Sequence, residues 1–549
     1  MKKKIALITI YNPGCTGMRY VAGSLNAAGH DVHIISFKEL RSKTVPSEDT
    51  QHHKKLQAVK DVIYIVSPEP GRLIYLPYPT PVTEKEKQIL VEILRDRLQV
   101  DIIGFSFYSV TFPIACKIAH FLKQEIPGTP IIFGGLHCIV APDECIETAD
   151  IVCTGEGEDA MVELMDRWDE YKKEGALDIH GLWFKKPDGE IVKNPRRPAI
   201  MDLDRLPFPT YGENEILIDD DAESDKMNKP GPFLNAHVYT FTERGCPYHC
   251  SYCIHSVLKK GGYEKFRRRS VDNVMEECRD RVERLGMRHM IFHDEIFIID
   301  KKWVSEFTEK FRKLYHEPYG VTFTGYVHPR TSTPEMVDMM VKAGLSRVGM
   351  GIQSGSPRIN KDIFDRVFDP EASVEMAKLL ATYDFDIIQY DLLVNNPFER
   401  EEDMKITFDL LMKFPPPFYC GMFGIVIYRY SKLAEKPVPE ERPDQKTYKF
   451  WNMMYYLASQ TILSREEVRG ISENPWYREH PDALERLCVD IEKAECEKVK
   501  ICRELAEKKE NLENALEWIK AHSSEDYPLK QAVKKKIKKI LSPFLNNPE

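Results

Sequence analysis

The sequence predicts an α/β protein in three parts: an N-terminal doubly wound parallel sheet, a partial (β/α)6 barrel and a helical C-terminal region. Three observations predict it. Short apolar runs alternate with amphipathic ones through residues 1–195. A second alternating series, with six strand-like runs, fills 236–450, and beyond about 451 β-rich runs disappear. Residues 196–235, irregular and rich in Pro and Asp, read as a linker.

In the first series KIALITI (4–10) is β-rich, GMRYVAGSLNAAG (17–29) has helical spacing and DVHIIS (31–36) is β-rich again. DIIGFSF (101–107), a helical FPIACKIAHFLKQ (112–124), PIIFGG (130–135), a short helix over 142–148, DIVCTG (150–155) and a helix from Glu158 to about Tyr171 follow. Strands apolar on both faces and separated by helices imply a parallel sheet. Ligands of such sheets bind beyond the carboxyl ends of the strands, which points to the loops at 11–18, 106–111, 134–139 and 154–157. GLWFKKPDGEIVKN (181–194) reads as a hairpin turned by Asp188-Gly189.

The second series comprises VYTFTE (238–243), HMIFH (289–293), VTFTGY (321–326), RVGMGI (347–352), IIQYDLLV (387–394) and FGIVIY (423–428). Helical patterns fall between them near 270–285, 301–316, 334–343, 371–383 and 400–413. Six strands with five helices suit a barrel open on one side. The segment 482–520 is a long, highly charged helical pattern that packs one stripe on its neighbours. No repeat of about 20–50 residues stands out.

Composition narrows the classes. The 549 residues carry a net charge of −9, with 42% hydrophobic and 30% charged residues, as in ordinary globular chains. The length allows about three or four domains. A mildly acidic total gives no electrostatic reason to expect a nucleic-acid binder. Thirteen cysteines are too few for a disulfide scaffold. The start MKKKIALITI runs into a strand-like segment without a signal-peptide core. The weakly charged stretch 102–120 is interrupted by Ser106, Ser109, Thr111, Pro113 and Lys117, so a transmembrane helix is not expected. A reducing cytoplasm is the expectation, where clustered cysteines bind metal or do chemistry.

Cys246, Cys250 and Cys253 lie in TERGCPYHCSYC, spaced four and three apart, directly after the first strand of the second series. They are incomplete as structural zinc, which takes four ligands, and no second CxxC or HxxxH pair follows. An iron–sulfur cluster is the soft-ligand site that three thiolates serve directly; zinc or accidental spacing remains the alternative.

CxxxCxxC with an aromatic before its last cysteine, on the loop after the first barrel strand, resembles the radical S-adenosylmethionine (SAM) superfamily. The resemblance implies a [4Fe–4S] cluster on Cys246, Cys250 and Cys253, with SAM on the open iron, cleaved by one electron to methionine and a 5′-deoxyadenosyl radical. It places Tyr252 against SAM. HDEIF (293–297) resembles the acidic end of strand two and GMGIQSGS (349–356) the strand-four motif; DLLVNNPFE (391–399) resembles the strand-five motif with Asn395 replacing the usual Gly. Asp294, Gln353, Ser354 and Asn395 become SAM-contact candidates, with helix capping as the plainer reading of each.

At the strand ends of the first series stand NPGCTG (12–17), SFYS (106–109), GGLHCIVAPDE (134–144) and CTGEGED (153–159). GEGEDA also matches a dinucleotide fingerprint, but Glu156, Glu158 and Asp159 would repel a pyrophosphate at that helix start. With the hairpin and LDRLPFP (203–209), this region resembles the cobalamin-binding domain fused upstream of many radical SAM enzymes. Carried across, the cobalamin candidates are Ser106, Ser109, Gly134, Gly135, His137, Gly155, Glu156 and Gly157. The D-x-H-x-x-G of corrinoid modules with a lower histidine is missing: the loop after strand one has no histidine, and His33 lies inside strand two. No histidine is therefore expected on the lower face of the cobalt, and His137 reads as a turn or corrin contact rather than a ligand. Cys15, Cys138 and Cys153 at strand ends raise a second-cluster reading, but the methylthiotransferase signature is not recognisable.

In QAVKKKIKKILSPF (531–544), Val533, Ile537, Ile540, Leu541 and Phe544 form a stripe opposite five lysines, either a membrane-surface helix or one docked on its own protein. Cys488, Cys496 and Cys502 read as plain thiols. The expected function is a cobalamin-dependent radical SAM enzyme that methylates an unactivated carbon through a 5′-deoxyadenosyl radical and methylcobalamin. A radical cyclase or rearrangement enzyme, and a non-catalytic corrinoid or Fe–S sensor, are the alternatives. Expected partners are a small-molecule, lipid or peptide substrate and a reductant such as flavodoxin or ferredoxin. The expected location is cytoplasmic, with possible membrane contact through 531–544.

Overall fold

Strand β1 (Lys4–Ile10) is buried almost throughout because its alternate residues feed two cores. Ala6, Ile8 and Ile10 join Phe105 and Phe133 on one face, and Ile5 and Leu7 join Leu25, Leu164 and Trp168 on the other. The computed structural model describes residues 2–38, 82–260, 262–263, 265–428, 430–488 and 491. β1 pairs in parallel with β2 (Asp31–Phe37) on one side and β3 (Ile102–Ser106) on the other. β4 (Ile131–Gly134) and β5 (Ile151–Cys153) continue in parallel beyond β3. The hairpin β6 (Leu182–Lys185) and β7 (Ile191–Lys193) closes that edge. The winding direction reverses between β1 and β3, so the crevice of this doubly wound sheet opens there.

The expected linker is not all linker. β8 (Glu215–Asp219) pairs in parallel with β2, and β9 (Ala222–Ser224) folds back on it, extending the first sheet to nine strands. Arg19, fully buried on the helix Thr16–Ala27, locks β8 in place through a two-pronged pair with Glu215 at 2.9 and 2.7 Å. Its remaining N–H groups reach the Pro13 and Thr210 carbonyls, and its guanidinium lies 4.2 Å over the Tyr211 ring.

The antiparallel ribbon β11 (Glu243–Arg244) and β12 (Arg267–Arg268) stands apart from the second sheet. That sheet is all parallel, in the order β10 (Tyr239–Thr240), β13 (His289–Phe292), β14 (Thr322–Val327), β15 (Leu345–Gln353), β16 (Ile387–Val394), β17 (Tyr419–Gly424). Sequential order in which the end strands β10 and β17 do not pair with each other is a partial barrel. Phe292, Phe307, Phe311 and Phe323 pack edge to face in the layer between strands and helices.

Two barrel strands differ from expectation. Of VYTFTE only Tyr239–Thr240 joins the barrel, because the Asp294 carboxylate takes the Thr242 N–H and hydroxyl and turns the chain into β11. The sixth strand starts four residues before the expected FGIVIY and its ladder ends at Gly424, the last link being the Ile425 N–H to the Val394 carbonyl at 3.2 Å. The helix expected over 158–171 breaks into Glu158–Asp166 and Trp168–Glu174.

After the barrel, the helix Gln445–Ser459 packs on Glu401–Leu411, with Tyr455 donating to the Met404 carbonyl at 3.1 Å. Arg465–Glu473 and Pro475–Glu479 continue the helical region. Cys488 is buried against Met453, as a plain thiol would be. Cys496, Cys502, most of 482–520 and all of 531–544 lie outside the described residues. No helix among the described residues is long and apolar enough to cross a membrane.

Candidate functional site

The four loops singled out above converge. With the cluster-loop side of the barrel they enclose one cavity of about 380 Å³. Asn12, Cys15, Ser106, Tyr108, Gly135 and Gly155 line it from the first sheet, and Phe241, Arg244, His255, Leu258, Tyr263 and Glu295 from the barrel side. Among the residues that line it the only histidine is His255, on the barrel side, where it meets Glu295 at 3.0 Å.

Cys246, Cys250 and Cys253 are half-buried on one loop. The Cys253 N–H donates to the Cys250 carbonyl at 3.1 Å. Burial, Glu295, Cys250 and Cys246 all push the Cys253 thiol up, so the three sulfurs share one neighbourhood. No three His, Cys, Asp or Glu side chains among the described residues close on a point as a single metal ion demands. A soft, three-thiol set shared over a loop fits a cluster, whose ligands stand on separate iron atoms. Ser251 anchors the loop: its N–H donates to the Phe364 carbonyl at 2.8 Å and its hydroxyl to that of Ile363 at 2.6 Å. Tyr252 stacks edge to face on Phe364 at 4.6 Å, beside the thiols.

The other SAM candidates separate. Asp294 is spent on Thr242; burial raises its carboxyl to about 6 and, with Asp294, raises Glu243 to about 9. The acid of HDEIF that lines the cavity is Glu295, the neighbour. Gln353 ends β15 in left-handed backbone, φ 66°, where the ladder to β16 shifts register, and it does not line the cavity. Ser354 is buried between Glu399 and Thr407, with its oxygen 3.5 and 3.3 Å from theirs, and Asn395 accepts from Asn452 at 3.1 Å. Ser354 braces its strand end against the barrel helix Glu401–Leu411 and Asn395 against the helix Gln445–Ser459, and neither lines the cavity.

Burial and then Asp403 push Glu399 up to about 8 from an ordinary 4.5. A carboxyl with a raised folded pKa stabilises the fold fully below its unfolded value and loses that contribution as pH rises through the folded one. Wild-type stability therefore falls from pH 4.5 to about 8 by a component that Glu399→Gln removes, giving a flatter profile of urea midpoints across that window.

Sequence reasoning missed a polar group on the inner strand faces. Gln389 donates to Asp391 at 2.6 Å and lies 3.5 Å from the Tyr326 hydroxyl; burial raises Asp391 to about 6 against these hydrogen bonds. Any side chain at Gly349 would overlap the Tyr326 ring, and any at Gly421 the Asp391 carboxylate. Asp391 opens the quoted strand-five motif, so period-two alternation along β16 was the signal that pointed to it.

Of the eight cobalamin candidates, Ser106, Gly134, Gly135, Gly155, Glu156 and Gly157 line the cavity. Gly135 has φ 92°, and a Cβ there would stand 2.7 Å from the Phe107 carbonyl oxygen, so the turn requires glycine. Ser106 lies 3.4 Å from the Cys15 sulfur. Ser109 and His137 turn away: they share a hydrogen bond at 2.9 Å, and the imidazole lies tilted against Phe112 at 4.3 Å, where burial lowers its pKa from the ordinary imidazole value. Glu156 lines the cavity, yet its carboxylate is engaged by Arg267 at 2.8 and 3.0 Å, Arg244 at 3.1 Å and the Ile200 N–H at 2.7 Å. His33 pairs with Asp31 inside β2, as expected of a strand residue. Glycine turns, small polar groups and an apolar wall at a switch point fit a large ring with amide edges, held without a histidine from the first sheet.

The radical SAM superfamily matches residues 241–411 and the B12 binding domain residues 72–165. An uncharacterized methyltransferase of Pyrococcus horikoshii is 26% identical over 317 residues, 57% of this chain and 64% of that protein. Cytidylyl-2-hydroxyethylphosphonate methyltransferase of Streptomyces wedmorensis is 23% identical over 435 residues, 72% of this chain and 73% of that protein. Anaerobic magnesium-protoporphyrin IX monomethyl ester cyclase of Rubrivivax gelatinosus is 24% identical over 331 residues, 58% of this chain and 55% of that protein. The chain thus spans between 55% and 73% of the length of these curated relatives. Among solved structures, the cobalamin-dependent S-adenosylmethionine radical enzyme OxsB, with aqua-cobalamin and S-adenosylmethionine bound, shares the fold at a TM-score of 0.56 and 14% identity, over 99% of this chain and 80% of that one.

Proposed function

We infer, from a chain that belongs to the radical SAM superfamily and carries a B12 binding domain ahead of its barrel, that the protein methylates an unactivated carbon as a cobalamin-dependent radical SAM enzyme. The observation that carries this reading is the single cavity walled by the switch-point loops on one side and by the cluster-loop side of the barrel on the other. When bound there, the cofactors supply a 5′-deoxyadenosyl radical and a methyl group. The chain holds, orients and shields. Cys246, Cys250 and Cys253 would hold the cluster, with Tyr252 beside it. Ser106, Gly134, Gly135, Gly155 and Gly157 let a corrin approach backbone closely. Phe241, Leu258, Leu136, Ile139 and Met161 keep the space apolar, so a radical meets little besides its target. The reductant is a flavodoxin or ferredoxin, and the substrate a small molecule, lipid or peptide.

Anaerobic purification with hydroxocobalamin tests the reading: the expected result is a corrinoid spectrum at about one per chain. With substrate, S-adenosylhomocysteine and 5′-deoxyadenosine then form in equal amounts. A second reading, radical cyclisation, is favoured by the cyclase relative and yields deoxyadenosine alone. A sensor without turnover would cleave no SAM.

A further inference from the structure

Two loops that carry the cofactors in this reading are tied together by an ion-pair web between the first sheet and the β11–β12 ribbon. Arg244 stands two residues before Cys246 and reaches into the first sheet's loop. Its guanidinium donates to Glu156 at 3.1 Å and Glu158 at 2.5 Å and lies 5.1 Å over the ring of Tyr20. Arg267, its partner in the β11–β12 ribbon, donates to Glu156 and to the Ile200 carbonyl. Two carboxylates and two guanidinium groups balance, so the web is neutral as well as buried. A second clasp comes from Tyr263, whose hydroxyl accepts the Glu156 N–H at 3.1 Å and donates to the Arg197 carbonyl at 3.3 Å. A side chain at Gly155 would overlap that hydroxyl, so the loop is glycine where the barrel side presses on it. Little slack lies between web and cluster: Gly245, the residue joining Arg244 to Cys246, is held at φ 93° with its Cα face closed by the Lys265 carbonyl.

We propose that Glu156, Glu158, Arg244 and Tyr263 are positioning residues that fix the cluster loop against the loop after β5 and thereby set the separation of the two cofactors. This rests on the reading above, in which both loops carry a cofactor. It also replaces the expected role of Glu156 as a cobalamin contact, since its oxygens are already occupied.

Glu156→Gln keeps the shape and removes one charge, leaving the two guanidinium groups underpaired. In the full chain with cluster alone, amide exchange should rise about tenfold over both 154–158 and 244–246, while β1 and β3 stay unchanged. In the protein loaded with cluster and cobalamin, pulsed dipolar EPR between the reduced cluster and cob(II)alamin should give a narrow distance distribution for the wild type and a clearly broader one for the variant. Tyr263→Phe, which deletes a single oxygen, should move both readouts the same way by a smaller amount and stands in should Glu156→Gln fold poorly. Faster exchange confined to 154–158, or an unaltered distance distribution, would overturn the proposal. A wild type that retains no corrinoid defeats the methyltransferase reading instead, and the exchange experiment still decides whether the two loops move as one.

Discussion

Replacing Cys246, Cys250 and Cys253 with alanine removes the iron–sulfur absorbance and brings 5′-deoxyadenosine formation from SAM to background. Each thiolate holds its own iron, so a chain with fewer than three cannot retain a cube with one open site. The loss is chemical and not a collapse of the fold. The three side chains are only partly buried on a loop that Ser251 anchors through its own backbone and hydroxyl, and the nearby core is built from Phe364, Ile363 and Leu433. Melting of the triple variant should therefore stay within a few degrees of wild-type apoprotein. Cys116→Ser, a half-buried thiol on the helix Phe112–Glu125, serves as the control and keeps both cluster and cleavage. SAM cleavage retained by the triple variant would remove the radical reading altogether.

Glu215→Ala destabilises the first domain by about 3–5 kcal/mol, read as a shift of its urea transition, because it strands a fully buried guanidinium. Arg19 spends its N–H groups on Glu215, Pro13 and Thr210, so one side chain ties the helix after β1, the cavity loop and β8 together. The carboxylate also accepts the Gly212 N–H at 2.8 Å, which the variant leaves unpaired. Removing both charges at once, as Arg19→Met with Glu215→Leu, should recover much of the loss, since a buried pair costs about as much to desolvate as it returns. A single variant within about 1 kcal/mol of wild type would mean that water reaches the pair.

Most of the architecture was legible because the forces that made it are local. Strands such as Lys4–Ile10 and Ile387–Val394 coincide with their apolar runs, and the helix Val271–Glu283 fills the period-3.6 pattern expected there. β8 was hidden because its five residues sit among Pro and Asp, and its pairing with β2 and the Arg19–Glu215 pair are both long-range; the short run EILID was its one signal. The cysteine triplet and the glycine loops were legible because ligation and close backbone approach demand residue types at fixed spacing. Which neighbour faces the cavity was not. Asp294 and Glu295 are chemically alike, and the turn at Thr242 decides between them. His137 and Ser109 satisfy each other, and Ser354 and Asn395 find partners in segments far along the chain. Such choices depend on tertiary partners that no spacing records.

Cobalt and SAM sharing one cavity is the central claim, and the methyl group of SAM tests it most directly. The protein, reconstituted with cluster and cobalamin and reduced, is incubated with SAM labelled in its methyl carbon. The account predicts label in the protein-bound corrinoid, with about one labelled corrinoid per chain. A fully loaded protein that forms 5′-deoxyadenosine while its corrinoid stays unlabelled would contradict it.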